Sequence, residues 1–367
     1  MNDAPEIVSE DIKPVEGRFV WKSQDVDHEN DATHFFSEGD IGDIDKALNH
    51  LKSLGDLDFP EITPDTFPLH KFRETLEACR EDLRTGLGFL RFRGFPVDRY
   101  SQDDLGRIFY GIGTCLGTPM PQSYRGELLG HVMDVSDIEQ TDRGYHRGGS
   151  LSMHTDAGGI VGLMCLKASS SGGMSRIAST AALHNELLKT RPDLVAVLYD
   201  GFLQRSTEKD AKYGDGQNLT DGKIPVFARS NGEFACRYIG GFLRRAIEAG
   251  DVSEGGLELE AVDALDNLAS LPEFYLDIPF KYGDIQYLNN NLILHSRTDY
   301  TDGRELDQRR YLLRLWLVVS GWPEHAFDDH NWKDQETWIK RREHLGETSS
   351  TYFKKLEDMR VHGEKIN

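Results

Sequence analysis

Two histidines and one aspartate are the residues in this 367-residue chain whose types and spacing could hold a metal ion. His154 and Asp156 lie two residues apart. In an extended backbone, alternate side chains point to the same face, so both could contact one ion. The apolar run 160–166 that follows favours a strand over a helix, and His295 follows a second apolar run at 292–294. Two imidazoles and one carboxylate on one side of an ion leave its other side open, which is the geometry of non-heme Fe(II) oxygenases.

A His-x-Asp/Glu triplet is weak evidence when it stands alone. Chance predicts roughly two such triplets in a chain of this composition, and the sequence contains three, which begin at His154, His184 and His362. His184 falls in a predicted helix over 180–199, where side chains two apart diverge by about 200° and cannot share a small ion. His362 lies in a polar stretch without apolar neighbours. Only the triplet at His154 has the context of a strand.

Two arginines on a predicted buried strand are the third chemical feature. Arg310 and Arg314 fall on the same face as Leu312 and Trp316 within the apolar stretch 311–317. An arginine cannot lose its charge, so inside a fold each needs an anion, and its planar fork suits a carboxylate. Internal salt bridges are the alternative. The nearest acidic residues in sequence are Asp299, Asp302, Glu305 and Asp307.

Composition and charge restrict the class of protein. The net charge of −20 argues against a nucleic-acid partner. No apolar run approaches the ~20 residues of a membrane span, and the acidic N-terminus lacks the apolar core of a secretory signal. We therefore expect a cytoplasmic protein that acts on a small molecule and binds neither membrane nor nucleic acid. Both a monomer and a homo-oligomer are compatible with this composition. Four cysteines without CxxC spacing are predicted to be reduced thiols: Cys79, Cys115, Cys165 and Cys236.

Periodicity and turn residues predict the elements that position these side chains. Helices are predicted over 40–54, 69–85, 102–116, 180–199, 242–249 and 257–271, and strands over 89–93, 160–166, 226–229, 233–239, 280–294 and 311–319. Strands in blocks separated by helices favour a mainly β protein with helical insertions. We predict a double-stranded β-helix (jelly roll) core flanked by N-terminal and inserted helices. The predicted organisation is a polar N-terminal arm at 1–38, one jelly-roll domain at 39–325 and a helical C-terminal extension at 326–367.

The motifs taken together resemble a known family. The chain is similar to the TauD/TfdA branch of Fe(II)/2-oxoglutarate-dependent dioxygenases, including its clavaminate-synthase-like members, over roughly residues 86–323. The residues that carry the resemblance are His154-x-Asp156, Gly172-Gly173-x-Ser175, His295, Arg310 and Arg314.

The resemblance implies a role for each of these residues. His154, Asp156 and His295 would be the metal ligands and hence the catalytic residues. Arg310, fifteen residues past His295, would bind the distal carboxylate of 2-oxoglutarate, with Arg309 as the neighbouring alternative. The remaining polar candidates are the Ser175 hydroxyl, which would assist the cosubstrate, and Arg314, which would contact an acidic substrate or the cosubstrate.

The resemblance also implies an activity. Fe(II), 2-oxoglutarate and O₂ would oxidise an unactivated carbon of a small carboxylate-bearing substrate, such as an amino acid or organic acid, with formation of succinate and CO₂. Halogenating relatives lack the carboxylate that Asp156 supplies here, so its presence favours hydroxylation, with desaturation or ring closure as alternatives. A metal-binding jelly roll without catalysis also remains open, as does a nucleic-acid or protein hydroxylase of the same superfamily. A zinc hydrolase would not need two buried arginines on the strand after the second histidine.

Overall fold

The computed structural model describes residues 12–123, 125–139, 144–207, 218–323 and 348–362. Two β-sheets form its centre, and helices cover their outer sides. The strands are β1 Thr33–Phe35, β2 Phe89–Arg93, β3 Thr118–Pro119, β4 Gly130–Val132, β5 Ile160–Lys167, β6 Ser171–Gly172, β7 Ser175–Ser179, β8 Phe227–Ser230, β9 Glu233–Cys236, β10 Tyr275–Ile278, β11 Ile285–Asn289, β12 Ile293–Arg297, β13 Tyr300–Thr301 and β14 Tyr311–Val318. The helices are α1 His28–Asp31, α2 Glu38–Ser53, α3 Lys71–Thr85, α4 Gln102–Leu116, α5 Thr180–Thr190, α6 Pro192–Asp200, α7 Gly240–Glu248, α8 Leu257–Ala269 and α9 Ser349–His362.

The larger sheet has the strand order β1-β2-β11-β5-β14-β3, with β4 also paired to β14. Its pairs are antiparallel except β1 and β2. Because side chains alternate along a strand, β14 presents two different faces. Leu313 and Leu315 pack with α3 and α4 in the largest apolar core, whereas Leu312, Arg314 and Trp316 lie on the opposite face. The helices α2 to α4 thus cover one side of this sheet and leave the other for a site.

The smaller sheet has the order β10-β7-β12 and is antiparallel throughout. The chain around His154 extends it through an isolated antiparallel bridge to His295. Apolar residues of β7 and β12 pack with α5, α6 and α8 in a second core. Ser175 on β7 donates a hydrogen bond to Gln286 on β11, so the two sheets face each other across a polar interior. This arrangement confirms the predicted jelly-roll fold class.

The predicted helix over 180–199 is wrong in one respect, because the structure divides it into α5 and α6. Arg191 between them has φ −143° and ψ 66°, outside the helical region. Pro192 follows it, and proline disfavours helical geometry in the residue that precedes it. The proline itself sits in the first turn of α6, where its missing N–H costs no hydrogen bond. The strands predicted over 226–229 and 233–239 are present as β8 and β9, which form a hairpin with Asn231 and Gly232 at φ 51° and 85° in its turn.

The two ends of the chain carry elements of their own. From Ile12 onward the predicted polar arm contains α1 and β1, and its Trp21 is buried with the indole N–H donating to the carbonyl of Leu87. Near the other end, α9 packs against α4 and buries Tyr352. The assigned domain boundaries at residues 38 and 325 stay predictions. None of the helices in the described ranges is long and apolar enough to cross a membrane.

Candidate active site

His154, Asp156 and His295 converge between the two sheets. The Nε2 atom of His154 lies 3.7 Å from Oδ1 of Asp156, and Nε2 of His295 lies 3.4 Å from Oδ2. One ligand atom from each residue lies within 4.8 Å of the other two. Within the described ranges, this is the one such group of three found. The structure thus brings together the three residues predicted from the sequence, although positions 156 and 295 are 139 residues apart.

Main-chain and amide hydrogen bonds position the three residues. The N–H of His154 donates to the carbonyl of His295 at 3.0 Å, and the N–H of His295 donates back at 2.9 Å. The ring Nδ1 of His154 lies 2.8 Å from the carbonyl of Ser152, a contact that makes Nδ1 the protonated nitrogen and leaves Nε2 with a lone pair. The side chain of Asn290 accepts from the N–H of Asp156 at 2.9 Å and donates to its carbonyl. These contacts hold both imidazoles and the carboxylate on one side of a shared space.

The charges at the site suit a divalent cation. Burial, reinforced by the neighbouring His295, lowers the pKa of His154 to about 4, so its imidazole is neutral at pH 7. Burial alone would raise the pKa of Asp156, but the positive charge of Arg314 and contact with the two imidazoles outweigh it and hold that pKa well below its usual range. Two imidazoles and an ionised carboxylate are the donor set that fits Fe(II) with positions left open.

Arg314 lies beside the metal-binding residues. Its Nη1 is 3.3 Å from Oδ2 of Asp156, and its Nε donates to the side chain of Gln122 at 2.8 Å. The indole N–H of Trp316 donates to the same Oδ2 at 2.8 Å. The guanidinium also lies against the rings of Tyr145 and Trp316, 4.4 and 4.5 Å from their centroids. Its Nη2 is buried and has no hydrogen-bond partner in the part of the chain that the structure describes.

The two neighbouring arginines 309 and 310 have opposite environments. Arg309 forms a two-point ion pair with Asp137, with both N–O distances at 2.7 Å. Arg310 is 4% exposed and points into the interior, where its Nη2 donates to the carbonyl of Gly173 at 3.2 Å. No carboxylate in the described ranges lies within ion-pair distance of its guanidinium. Burial and the positive charge of Arg297 lower the pKa of Arg310 to about 10. Arg310 therefore has the unneutralised charge that a cosubstrate carboxylate requires.

Ser175 is a buried residue of β7 whose side chain points towards the larger sheet. Its hydroxyl donates to Oε1 of Gln286 at 2.7 Å, and both residues are buried. The amide Nε2 of Gln286 has no partner in the described ranges. The backbone of the Gly-Gly turn before Ser175 passes close to the side chain of Arg310. A Cβ on Gly173 would lie 3.0 Å from Nε of Arg310, so glycine is needed there. The Gly-Gly turn that leads into Ser175 thus lies directly against the guanidinium of Arg310.

Sequence reasoning missed four residues at the site: Gln122, Asn290, Gln286 and Arg297. Arg297 is a buried arginine two residues past His295 on β12, and that spacing alone places both on one face. The signal was therefore available for Arg297. The other three are uncharged amides that reach their partners from distant parts of the chain, and nothing in their local sequence marks them.

Comparison with known proteins gives the family. The model of the family described as "Taurine catabolism dioxygenase TauD, TfdA family" matches residues 53–316. FR-33289 synthase of Streptomyces rubellomurinus (strain ATCC 31215) is 29% identical over 333 residues, which cover 87% of this chain and 95% of that protein. Taurine hydroxylase-like protein SAT17 of Stachybotrys chartarum (strain CBS 109288 / IBT 7711) is 31% identical over 309 residues, covering 81% and 77%.

Solved structures share the fold. Asparagine oxygenase in complex with Fe(II), 2S,3S-3-hydroxyasparagine and succinate superposes with a TM-score of 0.61 at 17% identity, covering 78% of this chain and 93% of that one. The non-heme iron oxygenase OrfP in complex with Fe and alpha-ketoglutaric acid gives 0.58 at 14% identity, covering 78% and 93%. With the family model matching most of the chain, the protein belongs to the TauD/TfdA family and is an Fe(II)/2-oxoglutarate-dependent dioxygenase.

Proposed function

We propose that this enzyme hydroxylates an unactivated carbon of a small substrate that carries a carboxylate, such as an amino acid or organic acid. The observation that carries the proposal is the position of Arg314 beside the metal-binding residues. We further propose that His154, Asp156 and His295 bind the iron, that Arg310 and Ser175 bind 2-oxoglutarate, and that the enzyme works in the cytoplasm without membrane or nucleic-acid partners.

Arg314 has one hydrogen-bond donor without a partner in the described ranges, and it lies beside the metal-binding residues, where a substrate would bind. One of its terminal nitrogens contacts Asp156, its Nε contacts Gln122, and its buried Nη2 has no partner within the described ranges. A buried donor without a partner costs on the order of 1–3 kcal/mol, so a ligand that fills the position gains by accepting from it. A carboxylate suits a guanidinium best because the bond is charge-assisted.

The rings beside Arg314 restrict the size of that substrate. Tyr145 and Trp316 both lie against the guanidinium, so only one edge of it is open to a ligand. A carboxylate there brings the adjoining carbons close to the iron site. This supports a compact substrate and fits the solved relatives, since asparagine oxygenase is described with 3-hydroxyasparagine and OrfP with hydroxylated arginine.

The protein's own groups bind, orient and exclude water. When bound, Fe(II) and 2-oxoglutarate supply the oxidising chemistry, in which one oxygen atom of O₂ enters the substrate and the other enters succinate. His154 keeps its lone pair on Nε2 because Nδ1 faces the carbonyl of Ser152. Trp316 and Arg314 hold one oxygen of Asp156, which fixes the carboxylate plane. No other titratable residue is needed as an acid or base.

Arg310 and Arg309 provide a matched test of the cosubstrate site. Arg310→Gln should weaken 2-oxoglutarate binding by a few kcal/mol, because one side of a buried charged pair is lost. Arg309→Gln should leave binding unchanged, since Arg309 pairs with Asp137. Calorimetric titration of the anaerobic Fe(II) enzyme measures both. A larger loss in Arg309→Gln would reverse the assignment.

In the same assay Ser175→Ala should cost about 1 kcal/mol, the value of one hydrogen bond.

Arg314→Met tests the substrate assignment. A screen for succinate release across amino acids, small organic acids and sulfonates first identifies a substrate. Arg314→Met should then raise its KM and uncouple succinate formation from product formation, with little change in 2-oxoglutarate affinity. Arg309→Gln is the control, because that arginine pairs with Asp137 and the variant should leave both readouts unchanged. Loss of 2-oxoglutarate binding with an intact substrate KM would instead place Arg314 in the cosubstrate site.

A further inference from the structure

Arg297 is a second buried arginine near Arg310. It ends β12, two residues past His295, and its side chain is 5% exposed. Its Nε donates to the carbonyl of Gly149 at 3.0 Å, and its Nη2 donates to the carbonyls of Arg147 at 2.8 Å and Gly149 at 2.7 Å. These contacts use one edge of the guanidinium.

The other edge of the guanidinium has nothing to bind in the described ranges. The Nη1 atom of Arg297 is buried without a hydrogen-bond partner, and no carboxylate lies within ion-pair distance. Three carboxylates act on it only from farther away, those of Asp134, Asp299 and Asp302. Main-chain carbonyls satisfy hydrogen bonds but do not cancel a charge, and a buried cation without an anion is costly.

Arg297 and Arg310 share a neighbour. Both guanidinium carbons lie against the ring of Tyr300, at 4.7 and 5.6 Å from its centroid. Two like charges held against one ring repel each other, and an anion placed between them would relieve that repulsion. Arg297 also lies opposite Ser175 in the register of β7 and β12, and Ser175 contacts Gln286, whose Nε2 is unpartnered in the same described ranges. The unpaired donors of Arg297 and Gln286 therefore both lie close to Ser175, and Arg297 also lies close to Arg310.

We propose that Arg297 is a second cationic binding residue for the distal carboxylate of 2-oxoglutarate, which it contacts through Nη1. The inference rests on the proposed cosubstrate site at Arg310 and adds to it a residue that the family motif does not supply. One carboxylate has two oxygens, so it can accept from both arginines at once. The competing role is purely structural: by binding the carbonyls of 147 and 149, Arg297 would only hold the segment that leads into His154.

Two keto acids separate the roles. 2-Oxobutyrate keeps the keto and C1 carboxylate groups of 2-oxoglutarate and lacks the distal carboxylate. The quantity measured is the ratio of the Kd for 2-oxobutyrate to the Kd for 2-oxoglutarate, by calorimetry on the anaerobic Fe(II) enzyme. Arg297→Gln should lower this ratio about 10- to 100-fold, chiefly by weakening 2-oxoglutarate. Arg297→Lys, which keeps the charge without the planar fork, should lie between wild type and glutamine. Arg309→Gln should not change it.

The other outcomes overturn the inference in distinguishable ways. If both Arg297 variants weaken the two keto acids by the same factor, or change neither, Arg297 does not bind the distal carboxylate. A drop in Fe(II) affinity with an unchanged ratio would assign it the structural role. If Arg310→Gln also leaves the ratio at the wild-type value, the cosubstrate site itself is misplaced. If Arg310→Gln lowers the ratio and the Arg297 variants do not, only the role of Arg297 fails.

Discussion

The triplets His154-x-Asp156 and His184-x-Glu186 have the same spacing of histidine and acid and opposite structural outcomes. His154 lies in extended chain that bridges to His295, and its partner acid shares the face. His184 lies on α5, where its Nδ1 contacts the side chain of Asn185 and its Nε2 contacts the hydroxyl of Tyr199. The acid of the second triplet, Glu186, turns away to contact Lys22. The backbone conformation, not the spacing, decides whether the pair can share an ion.

A shifted pKa does not distinguish the two histidines. Burial lowers the pKa to about 4 for His154 and for His184 alike. His184 packs against the rings of Phe227 and Phe234 and is a core residue with both nitrogens in contact. The difference is the convergence of a third ligand from another strand. A perturbed titration indicates a functional site only when the geometry around it does so independently.

The largest expected effect is the loss of activity when the acid of the first triplet is removed, and removal of the acid of the second triplet is its control. Asp156→Ala should reduce succinate release roughly 10³-fold, because it deletes a metal ligand and leaves Arg314 buried without its anion. Glu186→Ala should stay within about twofold of wild type, since in the described ranges that carboxylate pairs with the partly exposed Lys22. Turnover with the best substrate of the screen measures both. Equal losses in the two variants would remove the distinction between the triplets.

The pH dependence of the free energy of unfolding tests whether His184 is a buried core residue. Its folded-state pKa of about 4 is below the unfolded value near 6.5, so below pH 6.5 the unfolded chain binds a proton that the folded chain does not. Stability should therefore fall as the pH drops from 6.5 to about 4, by on the order of 2 kcal/mol from this residue. His184→Phe, similar in volume, should reduce that slope in urea unfolding of the metal-free protein, and the remaining slope reflects His154, whose pKa is lowered alike. An unchanged slope would show that His184 titrates normally.

A smaller effect is expected at the partner of His184. Tyr199→Phe removes the hydroxyl that lies 3.2 Å from Nε2 of His184. It should lower the free energy of unfolding by about 1 kcal/mol and leave the affinity for Fe(II) unchanged. Urea unfolding and metal titration provide the two readouts. A loss of metal affinity beyond twofold would connect this cluster to the active site and contradict its separation from the first triplet.

The sequence predicted the features that follow from local periodicity. The extended context of His154 and the helix predicted over 102–116 both follow from residues nearby, and Ser101 caps that helix by accepting from the N–H of Asp104. The break between α5 and α6 also had a local signal in Pro192, and the helical periodicity on either side of it obscured that signal. Arg297 was predictable in principle from its alternation with His295.

Long-range pairing decides the remaining features. Nothing near Arg309 and Arg310 shows which of them points inward, because a register irregularity between Tyr311 and Leu312 and the distant Asp137 determine it. Asn290 holds the Asp156 segment from 134 residues away. These contacts exist only once both sheets have formed, so no pattern along the chain reveals them.

The most direct test of this account is an anaerobic titration with Fe(II) and 2-oxoglutarate. The wild-type enzyme should bind one equivalent of Fe(II) and develop a weak visible charge-transfer band when the keto acid is added. His154→Ala and His295→Ala should each abolish the band, whereas His184→Phe should retain it at full intensity. Retention of the band in both alanine variants, or its loss in His184→Phe, would contradict the assignment of the metal site to His154, Asp156 and His295.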